Sequence, residues 1–519
     1  MKTALLPTGC AFLSDSGTPF FPEQFSEEEK MMIKAAEDFS RKEVLPLVER
    51  LDKQEDGLMP SLIRKAGALG LCGVDAPEEY GGLGLSKNLA ARILEFMSLN
   101  GSFSVTYGIT SGISQVGLAL FGTDDQKAQY LPKLTSGEWI GAYCLSEPNS
   151  GSDALSLTTR ADQKGGDYIL NGTKMWISNA KWADLFLVMA KVDGERLSAF
   201  LVEKNSLGLT VEREEHKLGL KGSSTARVVL ENVCVPAENL LHQEGLGHHV
   251  AFNALNLGRF KLASMSIGPA RQAIELALKY AKERKQFGQS INNFGLIQRK
   301  LCLMAAWFYA AESMIYRTGA LIDQAFETFG GTVEGNRKAA EEFAIEASIV
   351  KVFATEAEAF IVDEALQIYG GYGFTEEFPV ARLYRDARVS RIYEGTNEIN
   401  RIFIADRFAR RVKEGRISDE TSGDSFVSSL MVEAIHFSPQ TQVESGAFAD
   451  LLMLAYADQS ARLRSYQNPN GVANTYKCLE SVINSRAAEA FQILTGQSVT
   501  LPARPRVNFE DLVDALSDF

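Results

Sequence analysis

The sequence predicts a multidomain α+β fold: a helical domain, a central β domain, a helical bundle, and a smaller helical extension at the end. Three observations carry this. Apolar residues recur at helical spacing up to about residue 138, roughly the next hundred positions hold short β-rich runs split by turn signals, and helical spacing returns at Gly245. The expected boundaries are 23–138 for the N-terminal helical domain and 139–244 for a barrel- or sandwich-like β domain. A four-helix bundle is expected over 245–411 and the extension over 425–519.

In order along the chain, Ser26-Glu27-Glu28-Glu29 is a helix start, with a capping residue and first-turn carboxylates that match the macrodipole. Met32, Ala35, Phe39 and Val44 are read as its apolar face. Pro77, Gly81, Gly82 and Gly84 mark a loop, and Leu85 to Leu120 reads as further helix, where Gly108 and Gly112 would share one face. The β runs are Tyr168–Leu170, Leu185–Val188, Ala199–Val202 and Arg227–Leu230. Turns are expected at Gly165-Gly166-Asp167, Asn171-Gly172 and Asp193-Gly194. Long amphipathic stretches such as Ala270–Arg284 and Ala339–Ala365 suggest antiparallel helices, Glu414–Asp424 a linker, and Ser428–Phe437 and Phe448–Leu463 the helices of the extension.

The 519 residues carry a net charge of −13, which argues against a general nucleic-acid or membrane-surface binder. Any anionic ligand then needs local arginines, lysines or backbone N–H groups. Six scattered cysteines, without a CxxC or a cysteine–histidine cluster, indicate neither a zinc site nor a disulfide framework and suit a reducing compartment. The first ten residues have too short an apolar part for a secretory signal, and Pro7 interrupts it, so a cytoplasmic location is expected. No run of about 18 apolar residues occurs in the sequence, so no transmembrane helix is expected. His248 and His249 read as surface polar residues and Lys221 as structural or solvated.

Two motifs carry flat-ligand chemistry. Tyr143-Cys144-Leu145-Ser146-Glu147-Pro148-Asn149-Ser150-Gly151-Ser152-Asp153 starts like a strand, turns at Pro-Asn, and continues with small residues that free backbone N–H groups for an acceptor-rich ligand. In Gly172-Thr173-Lys174-Met175-Trp176-Ile177-Ser178-Asn179, Trp176 and Ser178 fall on one side of a strand, where an indole and a hydroxyl can border a heteroaromatic ring. A third, Arg391-Ile392-Tyr393-Glu394-Gly395-Thr396-Asn397-Glu398-Ile399, sets one carboxylate between an aromatic residue and a glycine, as a general base would be. Gly370-Gly371-Tyr372-Gly373 imitates a dinucleotide fingerprint, but it follows a helical segment where that fingerprint requires a strand.

From about Phe21 to Arg411 the chain resembles the acyl-CoA dehydrogenase family, and most of all its very-long-chain branch. YCLSEPNSGSD, NGTKMWISN, ERKQFG, QIYGGYGF and RIYEGTNEI stand in the family's order, and Asn256–Phe260 and Asn293–Gln298 match that branch. The resemblance implies FAD as cofactor, an acyl-CoA substrate, α,β-dehydrogenation to the trans-2-enoyl-CoA, electron-transfer flavoprotein as acceptor, and a homodimer. It implies that Glu394 takes the α-proton and hydride leaves the β-carbon for flavin N5. The rival base of some members, just before the arginine matching Arg259, is excluded because Gly258 stands there. By the same resemblance Tyr143, Leu145, Ser146, Gly151, Ser152, Trp176, Ile177 and Ser178 line the FAD, with Thr396 and Glu398 nearby. Arg284, Gln286, Phe287, Phe294, Gln367, Gly370 and Gly371 receive its tail from a neighbouring subunit. Ser152, Asn256, Arg259, Tyr393 and Gly395 face the substrate. Gly108 and Gly112 would leave the base of the acyl cleft open for a long chain, and membrane association through the extension stays undecided. The alternatives are an acyl-CoA oxidase reoxidised by O2 and a non-catalytic respiratory assembly factor.

Overall fold

The computed structural model describes residues 9–10, 19–417, 425–467, 469–503, 507 and 509–515. The N-terminal segment read for a targeting signal, most of the 414–424 linker and the last residues of the extension lie outside that set. The chain divides into two compact units, one of Glu27–Lys261 with Phe329–Glu341, the other of Met1–Ser26, Leu262–Thr328 and Glu342–Phe519.

In the first unit, the helix Glu27–Phe39 begins where the capping signal places it. Its buried face is Ile33, Ala36 and Phe39, one residue on from Met32 and Ala35; Ala35 faces solvent. Lys87–Met97 and Gly101–Gly108 follow, each opened by a side-chain cap, Ser86 and Asn100. The helix does not then run straight on. Ile109–Ile113 is a π-helical segment in which Gly112 leaves helical geometry at φ −118°, ψ −107°, so Gly108 and Gly112 do not share one regular helix face.

The β domain is one eight-stranded sheet of β1 (Gly141–Cys144), β2 (Arg160–Lys164), β3 (Asp167–Ser178), β4 (Leu185–Val192), β5 (Arg196–Glu203), β6 (Leu209–Glu214), β7 (Thr225–Val235) and β8 (Leu240–Leu241). Its order is β6-β7-β3-β2-β4-β5-β8, with β1 parallel to β4. The path ends at β6 and β8, so the sheet is open, not a closed barrel. Gly165-Gly166 and Asp193-Gly194 turn the chain with positive φ at both residues. Asn171-Gly172 does not turn it. β3 runs through that pair with a bulge against β7, and a Cβ on Gly172 would meet Thr159 Oγ1 at 2.3 Å. Phe186 and Phe200, both fully buried, head the sheet's core with Leu170, Ile177, Val188 and Val228. Burying each phenylalanine stabilises the fold by about 2–3 kcal/mol.

The second unit is helical. The 37-residue helix Gly247–Glu283 continues into it from Leu262, and Gly295–Phe329, Ala344–Tyr369 and Asn397–Lys413 complete the bundle. The extension forms Phe426–Ala434, Gln442–Gln467, Pro469–Thr495 and Phe509–Ala515. It is tied to the bundle by buried charge: Arg464 pairs with Glu312 at 2.8 Å and with Glu23 at 2.6 Å, and Glu312 also holds Arg271 at 2.8 Å. No helix among the described residues is long and apolar enough to cross a membrane.

Candidate active site

Glu394 sits in the turn between the 3₁₀ segment Arg388–Arg391 and the helix Asn397–Lys413. Its φ is +57°, followed by Gly395 at +80°. A left-handed residue with a Cβ costs about 1 kcal/mol or more and persists only where its surroundings dictate it. Here the dictating groups are visible. Asn400 Nδ2 donates to the carbonyls of Glu394, Gly395 and Thr396 at 3.3, 2.8 and 3.1 Å. Lys351 Nζ, fully buried, donates to Gly395 O at 2.9 Å and Asn397 Oδ1 at 2.8 Å. Thr396 caps the helix through Ile399 N. The turn is thereby pinned from behind, and the Glu394 carboxylate is left part-buried. Burial raises the Tyr393 phenol beyond its ordinary range, so it stays neutral. Glu398 is an exposed first-turn carboxylate, lowered chiefly by backbone N–H donation at the helix start.

Lys351 and Asn400 were not singled out from the sequence. A lysine in the apolar run Ala347-Ser348-Ile349-Val350-Lys351-Val352-Phe353 was the available signal. Lys351→Met is expected to lower stability by about 2 kcal/mol, since Gly395 O and Asn397 Oδ1 each lose a charged donor. Denaturant unfolding measures this.

In the β domain the two motifs meet. Met175 N donates to Ser146 O at 2.9 Å, and Lys174 Nζ, fully buried, reaches Glu147 Oε1 at 2.7 Å. Glu147 also accepts from the backbone N–H and hydroxyl of both Thr158 and Thr159. Burial works to raise the Glu147 carboxyl, but the Lys174 charge and these donors win and hold it down at about 2. This pair locks the Pro148-Asn149 turn, closed by the Glu147–Ser150 bridge, to β3. Tyr143, Leu145 and Ser146 are part-buried beside it, while Gly151 and Ser152 are exposed. A bulge between Lys174 and Ile177 re-aims Trp176, at φ +56° and 55% exposed, away from buried Ile177. Ser178 is part-buried.

In the helical unit, β9 (Lys285–Gln286) and β10 (Gln289–Ser290) form a tight hairpin through Phe287 and Gly288, both at positive φ. Phe287 is 94% exposed and makes an edge contact with Phe294. The Arg284 guanidinium lies 5.7 Å from the Tyr372 ring centre, which brings the hairpin beside Gln367, Gly370 and Gly371. All three are exposed, and a Cβ on Gly370 or Gly371 would meet nothing within 4 Å. The Gly370–Phe374 segment follows the helix Ala344–Tyr369 and not a strand, so it does not meet the dinucleotide-fingerprint requirement.

Asn256 and Arg259 are both buried, and Arg259 Nη1 donates to Asn256 Oδ1 at 3.3 Å. The amide thus holds the guanidinium. Beside Gly112 stands Lys261, whose Cδ would lie 3.4 Å from a Cβ there. Lys261 Nζ bonds Asp75 and the Ser111 carbonyl, so its aliphatic stem takes up part of the space the two glycines were expected to leave. His248 and His249 are half-buried, with ring centres 4.3 Å apart, and His242 joins them. Burial lowers His249 and His242 first, and mutual repulsion adds to it. Among the described residues no His, Cys, Asp and Glu group is arranged to hold a metal. Lys221 is solvent-exposed.

Residues 26–138, 142–233 and 245–409 match the N-terminal, middle and C-terminal domains of acyl-CoA dehydrogenase. A probable acyl-CoA dehydrogenase of Bacillus subtilis (strain 168) is 45% identical over 440 residues, which are 83% of this chain and 74% of that protein. The very long-chain specific mitochondrial enzyme of Homo sapiens is 43% identical over 65% of this chain and 51% of its own, so the chain spans about half the length of that relative. The crystal structure of an acyl-CoA dehydrogenase from Bacillus anthracis complexed with FAD superposes with a TM-score of 0.87 at 39% identity, covering 94% of this chain and 90% of that one. On its motifs, its helical–β–helical order and these similarities together, the chain belongs to the acyl-CoA dehydrogenase family.

Proposed function

We propose that this chain is an FAD-dependent acyl-CoA dehydrogenase in which Glu394 removes the α-proton of an acyl-CoA thioester and trans-2-enoyl-CoA is formed. The observation that carries this reading is the Glu394 turn, held left-handed by Lys351 and Asn400. A protein keeps such a conformation where it needs a carboxylate in one place. The residues present suit a flavin: an exposed indole beside a hydroxyl on the β3 bulge, and open backbone at Gly151, Gly370 and Gly371. Tyr143, Leu145, Ser146, Gly151, Ser152, Trp176, Ile177 and Ser178 would hold it, with Thr396 and Glu398 close by. A second copy of the chain would add Arg284, Gln286, Phe287, Phe294, Gln367, Gly370 and Gly371. FAD supplies, when bound, the acceptor for the β-hydride.

The chain's own share is proton removal and charge stabilisation. The Glu394 carboxylate takes the α-proton, and its backbone N–H donates to the thioester oxygen as negative charge grows there. Asn256 orients Arg259 toward the CoA portion, and Ser152, Tyr393 and Gly395 border the substrate. Electron-transfer flavoprotein is the proposed acceptor, and a homodimer the proposed assembly. In air, oxygen consumption matching substrate loss would instead identify an oxidase.

A long acyl chain is the proposed substrate. Turnover across a thioester series is expected to peak at about fourteen carbons or more, by analogy with the very-long-chain branch. The Lys261 stem against Gly112 narrows that space, so a peak at butyryl-CoA would overturn the length assignment alone. Purified protein without flavin absorbance would overturn the enzyme reading altogether.

A further inference from the structure

Glu358 lies on the helix Ala344–Tyr369, 4% exposed, and none of the roles above uses it. A carboxyl so buried ordinarily has a cation or several N–H donors against it, as Glu147 has. Glu358 is surrounded differently. The hydroxyls of Ser390 and Ser266 face it, Asp386 adds a like charge, and Arg391 exerts the smallest influence. Tyr393, on the adjoining turn, lies within reach of its charge. Both serines are buried, and Ser390 Oγ donates to Ala387 O at 2.7 Å. Glu358 Oε2, Ser266 Oγ and Arg391 Nε are buried atoms that complete no hydrogen bond, and each such atom calls for a reason.

These groups join three segments. Ser266 belongs to Gly247–Glu283, Glu358 to Ala344–Tyr369, and Ser390 to Arg388–Arg391, which leads directly into Tyr393 and Glu394. Resting on the reading of Glu394 as the base, we propose that Glu358 is a positioning residue that works as a neutral carboxylic acid, bridging Ser266 and Ser390 and so fixing the turn that carries Glu394. A neutral carboxyl donates one hydrogen bond and accepts another. Ser390, its own proton already committed to Ala387, can accept; Ser266 can donate. The carboxylate could only accept, beside Asp386 and without a guanidinium in hydrogen-bond contact.

Burial accordingly pushes the Glu358 carboxyl up to about 8, against the pull of the two hydroxyls. The folded protein then binds this proton more tightly than the unfolded chain does. Its stabilising share is therefore complete below the ordinary value of 4.5 and declines as pH rises toward about 8. Loss of the proton also removes the bridge, and turnover declines with it.

The test compares FAD-loaded parent, Glu358→Gln and Glu358→Ala in kcat and KM from about pH 6 to about pH 9.5. The parent kcat is expected to fall about tenfold between about pH 7.5 and 9.5, with KM changing little. Glu358→Gln keeps a donor and an acceptor and cannot ionise, so its kcat is expected to stay flat within about twofold over the same range. Glu358→Ala is expected to lose about fivefold in kcat at neutral pH, a loss the glutamine restores. Independently of turnover, the melting temperature of Glu358→Gln is expected to gain on the parent's as pH rises from about 5 to about 8. An alkaline limb in Glu358→Gln equal to the parent's, or parental kcat in Glu358→Ala, overturns the proposal. If Glu394→Gln turns over normally, the base assignment falls and takes this proposal with it. If Glu394→Gln is inactive and the limb persists in Glu358→Gln, this proposal alone fails.

Discussion

Replacing Glu394 by glutamine is expected to lower kcat by about 10³-fold, the scale lost when a positioned general base is removed. The amide has the shape of the carboxylate, and Lys351 and Asn400 hold the turn through backbone carbonyls, not through the side chain. Flavin content and KM should therefore change little. Glu394→Asp retains a base but withdraws it by one methylene, and a displacement of about 1 Å costs about 10²-fold. Its kcat is expected between parent and glutamine. Steady-state rates with flavin quantified in each preparation check the order, and a glutamine variant within tenfold of the parent would contradict it.

The largest loss of stability is expected from Lys174→Met. It strips the cation from a carboxylate that is 4% exposed, and breaking such a pair from one side costs about 3–5 kcal/mol. The donors from Thr158 and Thr159 remain, so about 3 kcal/mol is the expected figure in urea unfolding. The pH dependence has a definite sign. The parent's Glu147 is depressed from 4.5 to about 2, so its contribution is present above 4.5 and is lost as pH falls toward 2. Without Lys174 the depression shrinks, and the variant's acid unfolding should begin at higher pH. The same substitution removes the Lys174 bonds to Glu147 and to the Leu145 carbonyl, so weaker flavin retention is expected as well.

The helical–β–helical order was legible because hydrophobic period is a local property: it changes from 3.6 to 2 and back. Gly165-Gly166 and Asp193-Gly194 were legible as turns for the same reason. Asn171-Gly172 carries the same turn chemistry, yet the close approach of Thr159 makes it a bulge inside β3. The kink at Gly112 was hidden because a glycine permits a departure from helix without requiring one. The candidate site divides along the same line. Glu394, Trp176 and Ser178 stand within continuous motifs and could be picked out. Lys351, 44 positions from the Gly395 carbonyl that it holds, and Glu147, 27 positions from Lys174, depend on pairings that no period reports. The setting of Glu358 among Ser266 and Ser390 was hidden for the same reason.

The central claim is that Glu394 takes the α-proton. Its most direct test is anaerobic mixing of the FAD-loaded protein with acyl-CoA, protiated or deuterated at the α-carbon, while flavin absorbance is followed. The parent should bleach in one fast phase, slowed by the deuterium, and Glu394→Gln should not bleach on that timescale. Bleaching of Glu394→Gln as fast as the parent would show that another group removes the proton.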